Sequence, residues 1–259
     1  MFSEVLGTID CSGAKTKDIV LKGTTVECLR MNDLECDGSV ILSYGFTTFE
    51  PVFAMGADIR GQMGCSGGRF SGHPLALNLE RAKIGDAFFW RQIQGCWGIL
   101  DLTNATIGTL VDDPDSWPRE GKLCLDGLKY QHIASNTSPN YFDRLGWLLC
   151  QVKPHLTYDF RPQPFEQLAN VLEKTGRSAE ARQIRIEKLH FQRGANFLRR
   201  NPNVVALMGQ RPFVRSGLQR ALLESAIEIE QKSFFRDPIR ELSAYFRWLS
   251  SCVFWMIAG

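Results

Sequence analysis

The chain has 259 residues, 44% of them apolar and 22% charged, with a formal net charge of +2. That is enough for a packed core in one or two domains, and no segment reaches the roughly 20 apolar residues of a membrane span. The near-neutral total hides an asymmetry: residues 1–133 carry 12 Lys/Arg against 17 Asp/Glu, and residues 134–259 carry 18 against 11. Two domains with these bounds fit the asymmetry, and the charge is read as solvated surface rather than as a nucleic-acid footprint.

Eight cysteines, at 11, 28, 36, 65, 96, 124, 150 and 252, form no Cys-x-x-Cys. Neither a zinc site nor a thioredoxin-type centre is expected, and most of the thiols neighbour apolar strand residues, where they pack as small hydrophobes. The start, Met1-Phe2-Ser3-Glu4, lacks the regions of a signal peptide, so a cytoplasmic, reducing setting is expected. Met1 also leads into the repeat without a polar cap, which predicts a shortened N-terminus or end-to-end association through the solenoid ends.

From about Asp18 to Ile133 short apolar strands begin near Leu29, Val40, Val52, Met63, Leu75, Ala87, Ile99, Leu110 and Leu123, 10 to 13 residues apart. Glycines at 61, 72, 85, 95, 108 and 121 punctuate them, and are read as turns that use positive φ. A double period overlies this spacing: Ala57-Asp58-Ile59, Ala82-Lys83-Ile84 and Ala105-Thr106-Ile107 recur after 25 and then 23 residues. An all-β solenoid, a β-helix with coils of about 24 residues and two strand-turn units each, is predicted. Alternation such as Leu75-Ala76-Leu77-Asn78-Leu79 turns every second side chain into the stack. An antiparallel sandwich shares the strand spacing but does not require the recurrence.

After Ile133 the period changes to that of helices, giving an α-helical C-terminal region. Tyr141, Leu145, Leu148 and Leu149 form one face; Pro164 opens a second helix with Phe165, Leu168, Ala169 and Leu172 buried, closed by Gly176. Ser178 caps a third, through Ala181, Ile184 and Phe191. The αα-hairpin, about 164–193, is expected to cover the last coil's open edge. Further helices are expected from Leu218 to Lys232 and over about 238–258, the latter amphipathic to Arg247 and uncharged from Trp248 to Ala258. Arg240, Arg247, Trp248, Phe254 and Trp255 suit either a buried helix or contact with an anionic membrane surface or a partner.

Three segments carry a resemblance: Ala57-Asp58-Ile59-Arg60-Gly61-Gln62-Met63-Gly64-Cys65, Trp117-Pro118-Arg119-Glu120-Gly121 and Asp159 through Ala169. They look like bacterial β-helix-repeat proteins commonly labelled membrane-associated oxidoreductases, over about Asp33 to Phe191. The resemblance implies a solenoid, a helical hairpin and membrane-spanning helices beyond it, but it brings no catalytic residues.

Candidate chemistry is sparse. Gly64-Cys65-Ser66-Gly67-Gly68 matches a nucleophile elbow in letters, without the strand-to-helix context. Asp112, Asp113 and Asp115 cluster before Trp117 and are the candidates for acid–base chemistry of a carbohydrate-active β-helix, or for metal with His132; an ordinary Asp-Pro turn is the simpler reading. His73, His132, His155 and His190 form no zinc motif, and no Gly-x-Gly-x-x-Gly opens a helix, so no metal or cofactor is expected. Arg177, Arg182, Arg185, Lys188 and Arg193 lie on one basic helical stretch, read as solvated. The leading expectation is a non-enzymatic scaffold or binding protein with an unknown protein partner, at the cytoplasmic side of a membrane; the rivals are an oxidoreductase and a carbohydrate-active enzyme.

Overall fold

A computed structural model describes residues 3–134 and 141–200. The helices expected over 218–232 and 238–258 lie outside the described residues. The first part of the chain is a parallel β-solenoid of about five coils with about 23 residues per turn, and helices follow it.

Each coil has four short faces rather than two longer ones. Face 1 stacks Lys15–Thr16, Glu35–Cys36, Asp58–Ile59 and the starts of Lys83–Trp90, Thr106–Asp112 and Lys129–Ile133. Face 2 stacks Ile19–Val20, Val40–Ile41, Met63–Gly64 and the ends of those last three strands. On face 3 the first halves of Ser3–Asp10 and Thr24–Arg30 precede Thr47–Thr48, Arg69–Phe70 and Gly95–Cys96. Face 4 holds their second halves, then Val52–Phe53, Leu75–Asn78, Ile99–Asp101 and Leu123–Cys124. The expected strand starts fall on faces 2 and 4; faces 1 and 3 hide in what reads as turns.

The core is a set of ladders. Leu29, Val52, Leu77, Leu100 and Leu123 follow one another up face 4, and Cys36, Ile59, Ile84, Ile107 and Tyr130 up face 1, all nearly inaccessible. Phe46, Phe70 and Trp90 stack along one corner, with ring centroids 5.9 and 5.2 Å apart. A two-residue strand cannot hold its side chain out of water, so each rung depends on its neighbours.

The corners correct the reading of the glycines. Of those expected at positive φ, only Gly121 has it, at +79°. Gly61, Gly85 and Gly108 serve close approach instead: a Cβ on Gly85 would lie 2.3 Å from the Arg60 carbonyl oxygen, and one on Gly108 2.3 Å from that of Asp86. The left-handed positions form their own ladder between faces 4 and 1: Gly13, Asp33, Gly56, Arg81, Asn104 and Gly127, with φ from 51° to 75°. Each of the first five donates its amide to a carbonyl of the next coil, at 2.8–2.9 Å.

Helices α1 (Tyr141–Leu149), α2 (Lys153–Leu156), α3 (Gln163–Lys174) and α4 (Ser178–Arg200) follow. The compact unit runs from Met1 to Phe191, so the change of period after Ile133 is a change of secondary structure within a unit. A second unit comprises Gln192–Gly259. Pro164 lies in the first turn of α3, and Phe165, Leu168, Ala169 and Leu172 are buried, as expected. The α1 face differs: its buried residues are Arg144, Trp147 and Leu148.

Helix α3 ends the stack by imitating a further coil. Gln163 accepts from the Gly127 amide at 3.0 Å through Oε1 and donates to the Leu128 carbonyl at 2.8 Å through Nε2. Gln167 donates to the Tyr130 carbonyl at 2.7 Å. On face 4, Gln151 bridges Leu123 in parallel, and Val152 donates its amide to the Leu123 carbonyl at 2.9 Å.

Candidate functional site

The fifth coil departs from the pattern, and it does so at Asp112. The register sets this residue beside Trp90, in the inward phase of the strand that also points Leu110 into the core. A carboxylate there requires a partner, because an unpaired charge in a dry core is untenable. Arg144 of α1 supplies it: Nη1 donates to Oδ2 and Nη2 to Oδ1, both at 2.8 Å, and the Trp117 indole N–H adds a third bond to Oδ2 at 2.8 Å. Asp112 is 1% exposed and Arg144 0%. The guanidinium carbon lies 5.7 Å from the Trp117 ring centroid and 5.9 Å from that of Trp147. Tyr130 sits edge-on to Trp147, and burial pushes its phenol pKa well above the usual range.

The neighbouring aspartates do other work. Asp113 caps the 3-10 turn Pro114–Ser116, accepting from the Ser116 amide at 2.8 Å; its second oxygen accepts from the Gln92 amide at 2.8 Å. Ser116 completes the patch, accepting from the Ile93 amide through its hydroxyl and from the Trp90 indole through its carbonyl. Thus the Pro114–Ser116 turn is tied to the coil beneath it by side chains, where face 3 has no further strand. Asp115 is exposed. The three carboxylates therefore point to three separate tasks: a buried ion pair, a cap and a solvated turn.

The other candidates fall as follows. Gly64-Cys65-Ser66-Gly67-Gly68 rounds the corner between faces 2 and 3, with Gly67 at φ +72° and a strand, Arg69–Phe70, after it. Burial raises the Cys65 thiol pKa far above the ordinary value and pushes Cys96 and Cys124 up to about 12 and Cys150 to about 11. Nucleophilic or metal-binding thiols need the opposite shift. His73 and His132 are exposed; His155 has its pKa lowered, chiefly by burial and then by the charge of Arg161; His190 lies 3.8 Å from Glu187. Among the described residues no three His, Cys, Asp or Glu side chains gather as a metal site. Arg185 pairs with Glu173 and Glu166, Lys188 with Glu166 and Arg177 with Glu180, while Arg182 and Arg193 are exposed. A cavity of about 160 Å³ lies between Ile133 and the α3 residues Val171 and Leu172, lined also by Arg144 and Arg177. Arg240, Arg247, Trp248, Phe254 and Trp255 lie outside the described residues. No described helix is long and apolar enough to cross a membrane.

The outer surface is what varies most from face to face. Face 1 presents a charged ladder, Lys15, Glu35, Asp58 and Lys83, with Lys15–Glu35 at 2.8 Å and Lys83–Asp58 at 3.7 Å. Face 2 carries Val20, Ile41, Gly64, Phe89 and Val111 at the equivalent outward register positions, without a charge; Val20 is exposed, Ile41 and Phe89 are half-buried, and Gly64 and Val111 are buried. Arg91 and Lys22 flank this stripe, lying 5.4 Å from the Phe89 ring and 5.5 Å from the Tyr44 ring. Residue pattern alone hides this stripe, since Ile41, Gly64 and Phe89 sit next to inward apolar residues and read as part of the core.

Comparison with protein-family models, curated proteins and solved structures gives no match for this chain.

Proposed function

We propose that this protein is a non-enzymatic scaffold whose rigid solenoid binds a protein partner along face 2. The observation that carries the reading is the uncharged outward side of face 2, where Val20, Ile41 and Phe89 stay accessible, set beside the ion-paired ladder of face 1. Solvent-facing sheet positions ordinarily carry polar groups, and accessible apolar side chains on an uncharged sheet face, with cations at its margins, mark an interaction surface. The stacked register fixes the rungs at roughly 4.8 Å intervals, so the surface needs little ordering on binding.

The same reading places the protein at the cytoplasmic face of a membrane through Arg240, Arg247, Trp248, Phe254 and Trp255. Support for that part comes from composition, an uncharged run with tryptophans after an arginine-bearing amphipathic stretch, and from the family resemblance. Flotation of the full chain with anionic vesicles tests it; a chain left wholly at the bottom of the gradient contradicts it.

The binding part is tested by Ile41→Asp and Phe89→Glu in the full chain, with Glu35→Ala on face 1 as comparison. Loss of the co-purifying partner with the first two, and retention with the third, is the expected result. Undiminished recovery with both face 2 variants contradicts it.

A further inference from the structure

Two accessible aromatic rings stand on the corner between faces 3 and 4. Register puts them on one line: Glu27, Phe49, Ser71 and Trp97 directly follow Val26, Thr48, Phe70 and Cys96, which pair in successive coils. Phe49 is 59% exposed and Trp97 49%. The Trp97 side chain is held in place. Its six-membered ring fills the space over Gly95, where a Cβ would lie 2.5 Å from it. Gly95 thus makes room for the indole on the outer side of face 3, and a ring already seated loses little freedom on binding.

Spacing limits what the two rings can hold at once. Rungs repeat at roughly 4.8 Å, so rings two coils apart are separated by roughly 9.6 Å. A polyproline II helix turns once in three residues of about 3.1 Å each, a repeat of about 9.3 Å. The prolines of a Pro-x-x-Pro segment therefore recur on one side at the interval of Phe49 and Trp97. A β-strand fails the same test, because residues three apart in it point to opposite sides. The polyproline backbone leaves its carbonyls without internal partners. Arg69, exposed on the outer side of face 3 beside this line, brings guanidinium donors to them.

Charge selects what flanks the prolines. Glu27 lies one coil from Phe49 on the side away from Trp97, and Glu50 follows Phe49 in the chain; the Glu50 amide donates to the Glu27 carbonyl at 2.8 Å. Both side chains are exposed, and neither forms an ion pair among the described residues. Two such carboxylates oppose a phosphate backbone and favour a lysine or arginine just past the ring of Phe49.

We infer that this corner binds a proline-rich segment of a partner protein, with one proline on Trp97, the next on Phe49 and a basic residue at Glu27 and Glu50. The mode is the docking of a preformed helix of low entropy onto aromatic side chains. The site shares no residue with face 2, so it stands whether or not face 2 binds a protein.

An array of short immobilised peptides, probed with the labelled full chain, tests the assignment. The peptides carry Pro-x-x-Pro with Lys or Glu at either end, beside copies with alanine for proline. Neutral oligosaccharides on the same array serve as the rival, since sugar rings also stack on indoles. Retention of the proline peptides with Lys at one end, and loss with their alanine copies, is expected. In solution, Trp97→Ala and Phe49→Ser should each weaken the retained peptide about tenfold or more, with an unchanged far-UV spectrum. Glu27→Lys combined with Glu50→Lys should shift the preference from Lys-ended to Glu-ended peptides, a gain that misfolding does not produce. Phe89→Glu on face 2 should leave binding as it was. No proline peptide retained above its alanine copy, full affinity in Trp97→Ala, or retention of oligosaccharides alone overturns the inference.

Discussion

Gln163 gives Gly127 the hydrogen bond that a neighbouring coil would otherwise provide. In the turns below, Gly13, Asp33, Gly56, Arg81 and Asn104 donate to the Asn32, Met55, Glu80, Thr103 and Asp126 carbonyls; at the top, Gly127 donates to Gln163 Oε1 at 3.0 Å. The same side chain donates to Leu128, whose counterparts Ala57, Ala82 and Ala105 accept from backbone amides. A primary amide carries the donor and acceptor of a peptide group, which is why glutamine suits this position.

Replacing Gln163 by Ala leaves a part-buried donor and acceptor without their protein partners, at a cost of about 1 kcal/mol or somewhat more. Urea unfolding should register that loss. Native-state hydrogen exchange should show the Gly127 amide exchanging faster while the Asp33 amide, deep in the stack, is unchanged.

The Asp112–Arg144 pair predicts a non-additive mutant cycle. Arg144→Met or Asp112→Leu alone strands a buried charge and destabilises by about 3–5 kcal/mol. The double replacement removes both charges and recovers most of that loss. Additive losses in the double variant contradict the pairing as the reason for either residue.

Two glycines separate the roles that the sequence merges. A Cβ on Gly85 meets backbone, the Arg60 carbonyl, at 2.3 Å, while Gly121 at φ +79° has open space around it. Gly121→Ala should cost only the left-handed strain of about 1–2 kcal/mol. Gly85→Ala has to move two coils apart and should cost more. Conversely, Arg81→Gly, at φ 60°, relieves left-handed strain and should raise the urea midpoint.

The thiols set an alkaline limit. Burial raises Cys96 and Cys124 to about 12 and Cys150 to about 11, so the folded state keeps protons that the unfolded chain releases near pH 9. Stability contributed by the neutral thiols is present below about pH 9 and declines as pH rises toward the folded values. Urea midpoints at pH 8 and pH 10 should differ, and the difference should shrink in Cys96→Ala/Cys124→Ala. Thiol-reagent labelling of Cys96, Cys124 and Cys150 in the native protein at pH 8 should be slow until urea is added.

The repeat was legible because Ala57, Ala82 and Ala105, with Ile59, Ile84 and Ile107, mark the same corner in successive coils. Only faces 2 and 4 were visible as strands. On face 1 most two-residue rungs pair an inward apolar residue with an outward charge, as in Asp58-Ile59 and Lys83-Ile84, and such a dipeptide carries no periodicity by itself. Arg144 was missed for a related reason: an arginine within Tyr141–Leu149 reads as solvated unless Asp112 is known to face inward. The signal existed in the phase of Leu110-Val111-Asp112, whose alternation sets the carboxylate on the core side. Gln163 and Gln167 carry no local sequence signal, because their partners lie about 36 residues away across the cap.

The proposed binding face is tested most directly by photo-crosslinking from single positions on two faces of one folded chain. A photoreactive residue at Ile41 or at Phe89, in the native host, should yield the same discrete adduct, while Glu35 and Lys83 on face 1 should yield none. Adducts of equal yield from both faces, or none from face 2 in a chain that is folded and expressed at its normal level, contradict the account.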